Sequence, residues 1–136
     1  MNRDTIKILI ADDSRTFLEG MKLLLSRTPN YKITGIFPNG LELLKSPLLR
    51  TADVLLIDIE MPVMNGIETA KRISYEFPHI PMIALTMHVE KIFLNDIISA
   101  GFKGFVHKPE VSKQIDLAIG QVLKKQLIFP NNLKTE

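Results

Sequence analysis

Val54-Leu55-Leu56-Ile57-Asp58, followed at once by Ile59-Glu60-Met61-Pro62-Val63-Met64-Asn65-Gly66, decides the fold. An unbroken apolar run with β-branched members reads as a strand buried on both faces. Such a strand rarely ends in a carboxylate followed by Met-Pro and Asn-Gly unless a charge is needed at that edge. In open α/β sheets, ligands bind at the carboxyl ends of the strands. Asp58 is therefore the first candidate functional group, and the rest of the chain must supply its partners.

Outward from this run the pattern alternates. Upstream, Ile6 to Ala11 and Tyr31 to Phe37 read as strands. Between them, Phe17, Met21, Leu24 and Leu25 recur at helical spacing. Leu41, Leu43 and Leu44 mark a short helix that Ser46-Pro47 should break. Downstream, Asn65 with Glu68 three residues on has the form of a capping box. The helix it opens carries Ile67, Ala70, Ile73 and Phe77 on one stripe. Met82 to Leu85 is a fourth strand, and Ile92, Phe93, Ile97 and Ile98 mark a fourth helix ended by Gly101. Gly104 to His107 is a fifth strand. Pro109 opens a last helix whose apolar face is Val111, Ile115, Ala118, Ile119, Val122 and Leu123. Five β-α units imply a parallel sheet with helices on both faces. Right-handed crossovers and short loops leave few topologies, and among them a flavodoxin-like α/β sandwich with strand order 2-1-3-4-5 is expected. The domain is expected to span 1–126, with 127–136 as a tail or the start of a linker.

Bulk properties exclude several classes. The 136 residues suit one domain, and the absence of cysteine removes disulfides, thiolate metal sites and thiol catalysis. The net charge of +2 is spread along the chain, which argues against a basic nucleic-acid face. No signal peptide and no membrane-length apolar run are seen, so a cytoplasmic protein away from the membrane is expected.

The predicted topology brings the strand ends together: the first ends in Asp12-Asp13, the third in Asp58, the fourth in Thr86 and the fifth in His107-Lys108-Pro109. Three neighbouring carboxylates repel one another unless a cation intervenes. A hard, oxygen-preferring ion such as Mg2+ suits them, with Asp13 and Asp58 as direct ligands and Asp12 acting through water. Lys108 adds an ammonium for Asp58 or a phosphoryl oxygen, and Thr86 a hydroxyl donor. Together they form a site for phosphoryl transfer to the Asp58 carboxylate. Each part has a plainer reading: Asp12-Asp13 as a helix cap with Ser14, Thr86 as a structural strand residue, Lys108 as a surface lysine, His107 and the Met61/Met64 pair as packing.

These motifs, in this order from residue 6 to about 125, resemble the response-regulator receiver domains of two-component signalling. The Gly35–Gly40 turn and the Ala100–Phe105 stretch are in the style of the NarL/LuxR class. The resemblance implies phosphorylation of Asp58 by a sensor histidine kinase and a switch pair of Thr86 and Phe105. It also implies that the Glu60 backbone carbonyl meets the metal, and that the Glu60 and His88 side chains tune the phosphoryl lifetime. It further implies a possible homodimer after phosphorylation, and DNA binding only through a C-terminal domain that this sequence lacks. Rival readings are a stand-alone receiver that acts by docking, a haloacid-dehalogenase-like phosphohydrolase and a flavodoxin-like FMN carrier. Asp12-Asp13 fails the Asp-x-Asp pattern of the second, and would repel the phosphate of the third.

Overall fold

The structure is a computed structural model that describes residues 5–88 and 90–124, with the backbone alone for Lys91 and Ile92. The strands are β1 (Ile6–Ala11), β2 (Tyr31–Phe37), β3 (Val54–Asp58), β4 (Met82–Thr86) and β5 (Gly104–His107). They form one parallel sheet in the order β2-β1-β3-β4-β5, as the alternating pattern implies. The helices are α1 (Arg15–Leu25), α2 (Gly40–Lys45), α3 (Gly66–Glu76), α4 (Lys91–Ser99) and α5 (Val111–Leu123).

Successive strand side chains face opposite sides of the sheet, so one run feeds two cores. Leu9, Ala11, Leu55 and Ile57 pack with residues of α2, α3 and α4. Ile8, Ile10, Val54 and Leu56 pack with residues of α1 and α5. Burial on both faces explains why β3 and β4 are apolar without alternation up to their last residues, Asp58 and Thr86. The chain turns to opposite sides after β1 and β3, which opens a crevice at the carboxyl ends of those two central strands.

The amino ends of the strands are closed by hydrogen bonds. Asp53 N–H donates to the Lys7 carbonyl at 2.8 Å and the Lys7 N–H to the Asp53 carboxylate at 2.7 Å. Leu55 N–H reaches the Pro81 carbonyl and Lys103 N–H the Met82 carbonyl. On the edge strand, the β1–β2 register slips between Ile8 and Leu9, which leaves Thr34 as the extra residue of a bulge. Its hydroxyl is buried with no hydrogen-bond partner among the described residues.

Thr86 is the last residue of β4, and Ser46-Pro47 ends α2 as expected; Ser46 then caps a 3-10 turn, Pro47–Thr51, through the Leu48 N–H. Two local expectations are corrected. Pro109 sits in a 3-10 turn, Lys108–Glu110, and α5 begins only at Val111. The inner face of α4 is carried by Leu94 and Ile97, three residues apart, whereas Ile98 is turned a further 100° and is 41% exposed. The expected tail, 127–136, lies outside the described residues.

Candidate functional site

At the carboxyl edge, Asp12 directly follows β1 and Asp58 ends the neighbouring β3. Both are buried, at 0% and 6% exposure, while Asp13 faces solvent. One Asp12 oxygen, Oδ1, accepts the Ser14 N–H at 2.9 Å, and the Ser14 hydroxyl accepts the Phe17 N–H at 3.2 Å. The acidic pair and the cap of α1 are thus one structure, so the two sequence readings of Asp12-Asp13 are compatible.

Lys108 closes the group. Its Nζ lies 3.4 Å from Asp58 Oδ1, the pairing expected from sequence, and nearer still, at 2.8 Å, to Asp12 Oδ2. The shorter contact is an ion pair without hydrogen-bond alignment, and Asp12 Oδ2 is left buried with no hydrogen-bond partner among the described residues. Burial, and then the charge of Asp12, push the Asp58 carboxyl up to about 6. Lys108 and the Glu60 N–H, 3.4 Å from Oδ1, pull it partly back. Two buried carboxylates sharing one ammonium are short of positive charge.

The three aspartates place carboxylate oxygens within 4.8 Å of one another. That spacing, an oxygen-only donor set and an excess of carboxylates over the one lysine fit a hard divalent cation. The loop after β3 is shaped around this edge. A Cβ on Gly66 would collide with the Asp58 carbonyl and approach the Ile59 Cα to 2.8 Å, so only glycine lets the start of α3 pass the strand end. Met64 N–H donates to the Pro62 carbonyl at 2.7 Å, and this tight turn holds the exposed Val63 at φ 68°, a left-handed value costly for a β-branched residue. Asn65 caps α3 through the Glu68 N–H as expected. Glu68 does not close the reciprocal half of the box; its carboxylate pairs with Arg72, one turn on, at 3.3 Å.

Thr86 is buried beside this group. Its hydroxyl oxygen accepts the His88 N–H at 2.9 Å and donates to the His88 carbonyl at 3.3 Å. Register pairs Ala84 with Phe105 and Thr86 with His107, so Thr86 and Phe105 are diagonal neighbours on one face, with the small Ala84 beside the ring. Phe105 is half-buried and packs on the α2/α3/α4 layer. The Glu60 and His88 side chains meet: His88 Nε2 lies 3.0 Å from Glu60 Oε2. The His88 ring also rests on Phe93, with centroids 5.0 Å apart.

Sequence reasoning missed two residues here. Phe17 was an apolar helix position, yet its ring faces the Lys108 ammonium at 4.5 Å. His107 was packing alone, yet its Nε2 contacts the Met87 carbonyl at 3.2 Å, tying β5 to the loop after β4. No short-range pattern signals either contact, because each joins elements distant in the chain.

Comparison with known proteins decides the family. The response regulator receiver domain family matches residues 8–120. The chain belongs to the response-regulator receiver family. Among curated relatives, the oxygen regulatory protein NreC of Staphylococcus epidermidis is 28% identical over 131 residues, covering 96% of this chain and 60% of the relative. A protein-glutamate methylesterase/protein-glutamine glutaminase of Geobacillus kaustophilus is 35% identical over 127 residues, 88% of this receiver and 36% of the relative. The receiver thus spans about a third to three-fifths of the curated relatives it matches. Among solved structures, the non-phosphorylated receiver domain of RcsB from Escherichia coli superposes with a TM-score of 0.84 at 26% identity, covering 94% of this chain and all of that one. A LuxR-family response regulator from Aurantimonas sp. SI85-9A1 gives a TM-score of 0.87 at 24% identity, 96% and 93% covered, a likeness of fold. The NarL/LuxR style read from the sequence agrees with these relatives. No helix among the described residues is long and apolar enough to cross a membrane.

Proposed function

We propose that this receiver is a phosphorylation-controlled switch in which Asp58 accepts a phosphoryl group from a sensor histidine kinase or a small acyl phosphate. The observation that carries this reading is the buried Asp12–Asp58 pair at the carboxyl edge, two carboxylates that share the ammonium of one lysine. Asp13 and Asp58 would hold Mg2+ directly, Asp12 through water, and the Glu60 carbonyl would complete the protein's share of ligands. When bound, the ion supplies positive charge for the phosphoryl oxygens.

The residues of the chain do the rest. An Asp58 carboxylate oxygen attacks phosphorus in line; the new O–P bond forms as the bond to the donor breaks, and the donor leaves with its electron pair. Lys108 neutralises charge on a phosphoryl oxygen, which draws it from its contact with Asp12. The Thr86 proton is held only by the 3.3 Å contact to the His88 carbonyl, so it can be re-aimed at the phosphoryl group. Space then opens beside Ala84 for the Phe105 ring, and the surface of α4, β5 and α5 changes. Glu60 and His88 form a bridge over the entrance, and loosening it alters access of water and therefore the phosphoryl lifetime. In the longer protein that the relatives suggest, the output is transcriptional, through a C-terminal DNA-binding domain and a homodimer formed on phosphorylation. The domain itself acts as a regulator in the cytoplasm, with no substrate turnover of its own beyond its phosphorylation and dephosphorylation.

Intact mass after incubation with a small acyl phosphate tests the proposal. One phosphoryl group should appear with Mg2+, and none without it or in Asp58→Ala. A gain that survives in Asp58→Ala would sink the assignment. Absence of any gain, with a kinase as well as an acyl phosphate, would favour a receiver that acts only by docking.

A further inference from the structure

Lys108 is held on more than its two acidic contacts. Its Nζ lies 4.5 Å from the centroid of the Phe17 ring, within cation–π range. The lysine side chain is only 13% exposed, so the ring replaces water that would otherwise solvate the ammonium. Phe17 is itself fixed by the acidic pocket: its N–H caps onto the Ser14 hydroxyl, and the Ser14 N–H donates to Asp12. Its side chain packs on the α1/α5 layer, which anchors the ring from behind.

We propose that Phe17 is a positioning residue for Lys108, holding the ammonium against the Asp12–Asp58 pair and ready for a phosphoryl oxygen. The proposal rests on the phosphoryl-acceptor reading of Asp58. Lysine carries a hydrated point charge on a flexible stem, so its placement must come from its surroundings. A ring face attracts the ammonium without a directed bond, so the ammonium can shift from the two carboxylates toward an incoming oxygen while the ring still faces it.

Isosteric replacement separates this from packing. In the full chain, Phe17 is replaced by 4-fluoro- and 3,4,5-trifluorophenylalanine, which keep the ring's shape and progressively weaken its negative face. The rate of phosphorylation by a small acyl phosphate with saturating Mg2+ should fall stepwise, by about three- to tenfold across the series. Phe17→Trp should retain the rate and Phe17→Leu should lose it. In proton NMR spectra the Lys108 ε-methylene protons should lie upfield from the ring current, and return in Phe17→Leu. A flat fluorination series, or unshifted ε-methylene protons, overturns the proposal. If the parent chain takes up no phosphoryl group, the switch reading fails, and the ε-methylene shift alone decides whether the ring holds the lysine.

Discussion

The two ends of the sheet are built on opposite terms. At the amino ends, backbone and side-chain groups satisfy one another, as in the paired Lys7 and Asp53 hydrogen bonds. At the carboxyl ends, Asp12 keeps a buried oxygen without a hydrogen bond, Asp58 holds its proton up to about pH 6, and Val63 sits at a left-handed φ. One edge contributes stability; the other gives it up to keep charges close and short of partners.

The comparison is broken most severely at Asp58. Asp58→Asn should abolish phosphorylation and yet stabilise the fold. The Asp58 carboxyl has a folded value of about 6 against an ordinary 3.8. Its contribution to stability is fully present below about pH 4 and is lost as pH rises through 6. In metal-free buffer the advantage of Asp58→Asn over the parent should therefore grow between those values, to about 1–2 kcal/mol at pH 7, in urea unfolding. An advantage constant with pH would show that the carboxylate is not under strain.

Gly66→Ala tests the contact that lets α3 start against the strand end. It should destabilise by about 2–3 kcal/mol and lower phosphorylation, because the Asp58 backbone must move. Val63→Gly relieves a cost instead, and should stabilise by about 1 kcal/mol while leaving the Asp58 mass gain intact. Smallest of all, Asp53→Ala at the opposite edge should cost about 0.5–1 kcal/mol, with phosphorylation unchanged. If that substitution slowed phosphorylation as much as Gly66→Ala, the two edges would not be separable.

Much of this contrast was legible in the chain. The central strands could be read because β3 and β4 are apolar runs between polar or turn residues, whereas β2, which holds Lys32, Thr34 and Gly35, was legible only from Ile33, Ile36 and the turn that ends it. The gathering of Asp12, Asp58, Thr86 and Lys108 followed from topology alone. Contacts decided by competition were not legible. Glu68 had two partners in reach and pairs with Arg72 rather than the start of its helix. In α4, adjacent Ile97 and Ile98 are alike in chemistry, and only packing decides which faces inward. The nearer carboxylate for Lys108, and the ring beneath it, depend on distances below the resolution of any pattern.

The order in which the strands occur in the chain has a consequence for synthesis. The acidic residues come from β1 and β3, and the lysine that balances them arrives only with the end of β5. A nascent chain that still lacks β5 holds its carboxylates without their ammonium, and it has no complete phosphoryl site. On the proposed phosphoryl-acceptor reading of Asp58, a chain would become competent for phosphorylation only once its sheet is finished, and the signal would report on molecules that have already folded.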